Sequence, residues 1–179
     1  MVAILLADGF EETEAVVPAD YLRRAGLEVK LVGVTGRTVT GGHGIAVQAD
    51  LSLGELRDSP EAVVVPGGGK GAENIAASRE SLALIRRVHA DGRIVAAICA
   101  APAVVLHTAG VLAGRRVTCY PGLERSLTGA TFSEDRVVVD GNIVTSRGPG
   151  TAAEFALELA KLLAGKAKAD SIRAATLER

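Results

Sequence analysis

Cys99 stands between an aliphatic run that ends at Ile98 and a stretch, Ala100-Ala101-Pro102, that reads as the start of a helix. Proline is tolerated in a helix's first turn, so Pro102 fits that start. A thiol at such a position feels the positive end of the helix macrodipole and its unpaired N–H groups. Both favour the nucleophilic thiolate. The same pattern also suits a small apolar residue closing a buried strand, a common place for a free cysteine.

A second candidate is Glu14, flanked by Thr13, Ala15, Val16 and Val17. If this apolar stretch turns Glu14 inward, burial raises its pKa, and the protonated acid can hydrogen-bond a thiolate or shuttle a proton. Read alone, it is equally a solvated acid beside Glu11 and Glu12 at the start of a helix. The third feature is Pro66-Gly67-Gly68-Gly69, whose glycines leave backbone N–H groups free to face a ligand oxygen. Lys70 follows the glycines, but no Ser or Thr follows it, so this is not the phosphate-binding P-loop. His107 lies eight residues after Cys99, roughly 12 Å along a helix, too far to pair with the thiol. His89 falls near a helix end, and His43 sits in a glycine-rich excursion that can reach a pocket rim. No histidine has a second one at metal-ligand spacing, so no metal site is predicted.

The elements that must position these residues follow from alternation of aliphatic runs and amphipathic stretches, the pattern of repeated βα units. Strands are predicted at Val2–Ala7, Glu28–Val34, Ala62–Val65, Arg93–Ile98 and Val117–Tyr120. Helices are predicted over Glu11–Ala25, about Ser78–Ala90, Ala100–Ala109 with Gly110 as cap, and Gly150–Leu163. Residues 36–50 read as a hairpin-like excursion. Arg136–Ser146 reads as a hairpin turning at Asp140-Gly141, and the tail from Ala164 as weakly helical. With no linker or repeat, the expectation is one domain over 1–179 with a core over about 2–163. A doubly wound sheet places ligands at the carboxyl ends of its strands, where all three features fall.

Composition narrows the function. Of 179 residues, 48% are hydrophobic, 23% charged and 3% aromatic, so the core must be aliphatic, as in a parallel sheet covered by helices. The net charge of −1 and the scattered Lys and Arg leave no basic field for nucleic acid or anionic lipid. No run approaches the roughly 18 apolar residues of a membrane span, and Met1 leads into Val2–Leu6 without a basic segment. The expected compartment is the cytoplasm, with Cys99 and Cys119 as thiols.

Four segments together resemble one family. Asp8-Gly9-Phe10-Glu11-Glu12-Thr13-Glu14, Val65-Pro66-Gly67-Gly68, Ala97-Ile98-Cys99-Ala100-Ala101-Pro102 and Thr145-Ser146-Arg147-Gly148-Pro149-Gly150-Thr151 are similar to the DJ-1/PfpI superfamily. The likeness is to its DJ-1 branch, with the YajL and ThiJ-like proteins, and runs from Val2 to about Leu163. The resemblance implies a single-domain flavodoxin-like α/β sandwich, mostly parallel with helices on both faces, that forms a homodimer. It implies Cys99 as the oxidation-prone nucleophile, Glu14 as its protonated partner, and Gly67 and Gly68 as oxyanion donors. The Gly148-Pro149 turn would border the neighbouring subunit's pocket, and Arg24 would lie near the dimer interface. Tyr120 stands where several animal members carry histidine. A phenol is a poor base at neutral pH, though it can donate a hydrogen bond. His43 stands where some members have arginine beside the pocket. Ala100 replaces the histidine that the protease-like branch uses to activate its thiol, which argues against a peptidase. The His-x-Glu of glutamine amidotransferases is absent.

The function implied is a glyoxalase or deglycase without metal or nicotinamide, acting on dicarbonyls such as methylglyoxal or on their adducts. The alternative is an oxidative-stress sensor or chaperone whose Cys99 is oxidised to sulfinic acid. Cys119 is read as an ordinary strand thiol able at most to pair transiently with Cys99.

Overall fold

The computed structural model describes residues 1–178. The chain opens with β1 (Val2–Leu6), every residue of which is buried, and a turn at Gly9 (φ +85°) leads into α1 (Glu12–Arg24). β2 (Val29–Gly33) returns parallel to β1. A two-stranded antiparallel hairpin follows, β3 (Thr38–Thr40) and β4 (Ala46–Gln48), within the stretch where the glycines predicted such an excursion. The short edge strand β5 (Leu51–Ser52) and β6 (Ala62–Val65) lie on opposite sides of the β1–β2 pair.

Here one expectation is corrected. Where one helix over about Ser78–Ala90 was expected after the glycine loop, two form, α2 (Gly69–Ala77) and then α3 (Arg79–Ala90). Ser78 joins the two, its side chain capping α3 by accepting the Ser81 N–H at 3.1 Å. Gly71 lies inside α2 for a packing reason. A Cβ there would stand 2.6 Å from the backbone of Phe10, so the glycine lets α2 touch the loop before α1.

β7 (Ile94–Ile98) ends at Cys99, after which Pro102–Leu106 winds as a π-helical segment into α4 (His107–Ala109). Gly110, left-handed at φ +75°, closes it as predicted. The predicted strand at Val117–Tyr120 shrinks to β8 (Arg116–Val117), which pairs with β9 (Thr131–Phe132) outside the main sheet. β10 (Val137–Asp140) and β11 (Ile143–Ser146) form the expected antiparallel hairpin, with Gly141 and Asn142 at the turn. α5 (Ala152–Ala164) and α6 (Lys166–Ala175) complete the chain.

The main sheet has the order β10-β11-β7-β6-β1-β2-β5 and is parallel apart from β10. α1, α5 and α6 pack in one group, α2, α3 and α4 in another. This is the expected mostly parallel α/β architecture. The chain crosses sides between β1 and β6, so the carboxyl ends of β1, β6 and β7 meet beside a topological switch, where a crevice opens. Among the described residues no helix is long and apolar enough to cross a membrane.

Candidate active site

Among the described residues Cys99 is one of two non-glycine residues with positive φ, at +65°. A side chain in the left-handed region costs roughly 1–2 kcal/mol, so neighbouring contacts must impose the conformation. Two hydrogen bonds do so. The Cys99 N–H donates to the Ser146 carbonyl at 2.9 Å, and the Cys99 carbonyl accepts the Tyr120 N–H at 2.8 Å. The sharp strand-to-helix turn holds the thiol 9% exposed on the wall of a cleft of about 440 Å³, lined also by Gly69, Ala100, Tyr120, Pro121 and Leu123.

Glu14, in the first turn of α1, is fully buried. Pro18 lacks the N–H that would close the helical bond to the Glu14 carbonyl, which loosens α1 at that turn. The Glu14 Oε2 accepts the Gly67 N–H at 2.7 Å, while Oε1 is buried with no hydrogen-bond partner. A Cβ at Gly67 would stand 2.7 Å from that Oε2, 2.6 Å from the Cys99 Cβ and 3.0 Å from its Sγ. Glycine is therefore what allows acid, thiol and loop to converge.

The two groups share a charge. Burial pushes the Glu14 carboxyl up to about 7, the Glu11 charge adds to the rise, and the Gly67 N–H and Cys99 thiol oppose it. Burial and then the Glu14 charge push the Cys99 thiol up to about 12, against the Gly68 and Ala100 N–H groups, which favour thiolate. The sequence expectation of a thiolate set by the helix terminus is thus corrected. Desolvation and the neighbouring Glu14 carboxylate outweigh the two amides and raise the thiol.

The DJ-1/PfpI family pattern matches residues 1–162. The chain belongs to the DJ-1/PfpI family. It is 43% identical over 171 residues to protein DJ-1 homolog B of Arabidopsis thaliana, covering 94% of this chain and 39% of that one. It likewise spans less than half (46%) of Arabidopsis DJ-1 homolog A. A deglycase of Pyrococcus abyssi is 37% identical over 165 residues, which are 90% of this chain and 98% of that protein. The structure of Toxoplasma gondii DJ-1, oxidized, superposes with a TM-score of 0.96 at 39% identity, covering 98% of this chain and 97% of that one.

Against this DJ-1/PfpI frame the remaining candidates separate. Gly67 differs from expectation, since its N–H is committed to Glu14; the amides that act on the sulfur are those of Gly68 and Ala100. Gly68 sits at φ +83°, and a Cβ there would meet the Gly9 carbonyl oxygen, so the loop admits no side chain. Tyr120 is half-exposed, packs against Gly148 and walls the Cys99 cleft. Pro149 lines a separate cleft on the far side of Tyr120. Arg24 pairs with Asp20 on its own helix at 2.9 Å. His107 contacts Thr128 and His89 contacts Asn142, and neither lines the Cys99 cleft.

His43 does not line the Cys99 cleft either. Its Nδ1 lies 2.8 Å from the Glu12 Oε2 and 3.4 Å from the Glu11 Oε2. Sequence spacing gave no sign of this carboxylate–histidine cluster, because it joins α1 to a hairpin about thirty residues away. Glu12 is the residue that sequence reasoning missed. Its carboxylate fills the loop between β3 and β4, accepting the His43 N–H at 2.7 Å and the Ile45 N–H at 3.4 Å. Burial disfavours its charge, yet the His43 ring, its own N–H and these loop amides hold the carboxyl down to about 2. The one available signal was Gly41-Gly42, since a Cβ at Gly41 would collide with the Glu12 side chain.

Proposed function

We propose that this chain is a cofactor-independent, cysteine-dependent enzyme acting on small reactive dicarbonyls such as methylglyoxal, or on their early adducts. The observation that carries the reading is the buried Glu14 carboxyl, held by the Gly67 N–H beside the Cys99 thiol. A carboxyl with a pKa near the working pH is suited to accept and return a proton within one turnover.

The Glu14 carboxylate takes the thiol proton as the Cys99 sulfur adds to the aldehyde carbon. Glu14 returns the proton to the new alkoxide, giving a hemithioacetal, with the Gly68 and Ala100 N–H groups holding the developing negative oxygen. Glu14 then removes the C–H proton and delivers one to the neighbouring carbonyl carbon, leaving a thioester of a hydroxyacid. Water cleaves the thioester and restores the thiol. One carbon is oxidised and its neighbour reduced, so no external oxidant enters. The Pyrococcus abyssi relative, named a deglycase, supports this reading.

A distinct observation favours a second reading. Glu14 Oε1 is buried and unpartnered, and a protonated oxygen there is free to donate to an oxygen on Cys99. Hydrogen peroxide would oxidise the thiol to sulfenic acid with release of water, and a second equivalent would give sulfinic acid. The Toxoplasma gondii relative, described as oxidized, supports it. A homodimer in the cytoplasm suits both readings.

The test is lactate formation from methylglyoxal by the reduced protein, beside Cys99→Ala and Glu14→Gln. Turnover lost in both variants supports the enzyme. No turnover in the reduced wild type removes the dicarbonyl reading and leaves the oxidation chemistry.

A further inference from the structure

Arg147 is a cation with no hydrogen-bonded or ion-paired anion among the described residues. Among the described residues its guanidinium makes no hydrogen bond or ion pair, and Nη1 is buried without a partner. Its position is nonetheless fixed, with Cζ 5.9 Å from the centroid of the Phe132 ring. Its neighbour Arg136 is fully engaged, donating to both Glu154 oxygens at 2.8 and 2.9 Å and to the Gly150 carbonyl at 2.7 Å. A guanidinium carries five donors in a rigid fork that matches a carboxylate or phosphate, and a partly buried one left unpaired is costly.

Arg147 lines a cleft of about 240 Å³ with Arg136, Tyr120, Pro121 and the Gly148–Thr151 turn. The Cys99 cleft shares two of these walls, Tyr120 and Pro121. The two clefts therefore meet at the Tyr120 ring, with a thiol in one and an unpaired cation in the other. An acid that feels this cation's charge is Glu124, whose Oε2 is held by the Gly122 N–H at 2.7 Å and forms no ion pair with Arg147.

We propose that Arg147 is an oxyanion-binding subsite beside the Cys99 cleft, so that the carbonyl compound handled at Cys99 carries a carboxylate or phosphoryl group at its far end. The carbonyl half of this statement rests on the dicarbonyl reading above; the anion site does not. Methylglyoxal, uncharged and short, would then be a truncated substrate that forgoes the binding energy of its remote group.

Calorimetric titration of the full chain with inorganic phosphate and, separately, with malonate at low ionic strength reads the subsite without any turnover. Saturable binding is expected in wild type, weakened at least tenfold in Arg147→Gln, partly kept in Arg147→Lys, and unchanged in Cys99→Ala. Glu124→Gln, by removing a competing charge, is expected to tighten binding about threefold. Preference for phosphate or for malonate supports the subsite and assigns its class. Absence of saturable binding in wild type, or equal binding in folded Arg147→Gln, overturns it. Should Arg147→Gln not fold, unchanged binding in Glu124→Gln overturns it instead. Arg147-dependent binding in a protein that turns over no dicarbonyl would retire the dicarbonyl reading alone.

Discussion

The Gly67 N–H points at the Glu14 carboxylate, 2.7 Å from Oε2, and the missing Gly67 side chain is the space in which Glu14 and Cys99 meet. One residue thus sets the acid's orientation through its amide and the acid–thiol spacing through its lack of a Cβ. Gly67→Ala places a methyl under 3 Å from both partners, so one of them must move. Turnover should fall on the order of 100-fold, because small misplacements of reacting groups carry such penalties. Overpacking should also cost about 1–3 kcal/mol of stability, measured by urea unfolding. Wild-type activity in this variant would mean that the Gly67 contact does not position the pair.

Glu14 carries a pH dependence whose sign is fixed by burial. Its carboxyl titrates near 7 when folded and near 4.5 when exposed, so the unfolded chain releases that proton first. The folded state is therefore penalised as pH rises from about 4.5 to about 7, and the penalty is constant above. It amounts to about 3 kcal/mol at most. Glu14→Gln should abolish dicarbonyl turnover yet melt higher than wild type at pH 8, the two converging near pH 4. Thermal unfolding across that range checks it, and a Gln variant that melts lower at pH 8 would sink this account.

The strain at Cys99 is separable from its chemistry. At φ +65° a glycine is unstrained whereas alanine is not. Cys99→Gly and Cys99→Ala should both lack turnover, with the glycine variant about 1 kcal/mol more stable than the alanine variant in denaturant unfolding. The reverse order would show that lost packing outweighs backbone strain.

The Glu12–His43 contact should behave as a pH-dependent latch on the β3–β4 hairpin. The Glu12 hydrogen bond, followed by the Glu11 and Glu12 charges, raises the His43 pKa, so the histidine's contribution is full below its unfolded value near 6.5 and fades as pH rises. Glu12 has its folded pKa depressed to about 2, so its contribution is present above about 4.5 and is lost as pH falls toward 2. Hydrogen exchange over residues 38–48 should therefore be slowest between about pH 4.5 and 6.5, after correction for intrinsic rates. His43→Ala should speed it more at pH 6 than at pH 8.5, and an equal effect at both would mean that the loop amides alone hold Glu12.

Much of the fold was legible in the chain because its signals are local. Continuous aliphatic runs such as Val2–Leu6 and Ala62–Val65 announce strands buried on both faces, and Gly110 announces a helix end. α2 was not legible, because glycine reads as a loop former wherever the reason for it, here the approach of Phe10 to Gly71, lies sixty residues away. β8 fell short of its reading because strand propensity does not reveal whether a partner strand will be beside it.

The sequence by itself determined which residues are chemically able, Cys99 and Glu14 above all, and that both fall near strand ends where an α/β sheet opens. The protonation balance was decided only by tertiary structure. A pKa depends on desolvation and on partners from other elements, so Glu14 became an acid titrating near 7 only once folding buried it, against the opposing pull of the Gly67 N–H and the Cys99 thiol. The same holds for Glu12, indistinguishable in sequence from its acidic neighbours until the hairpin loop closes around its carboxylate.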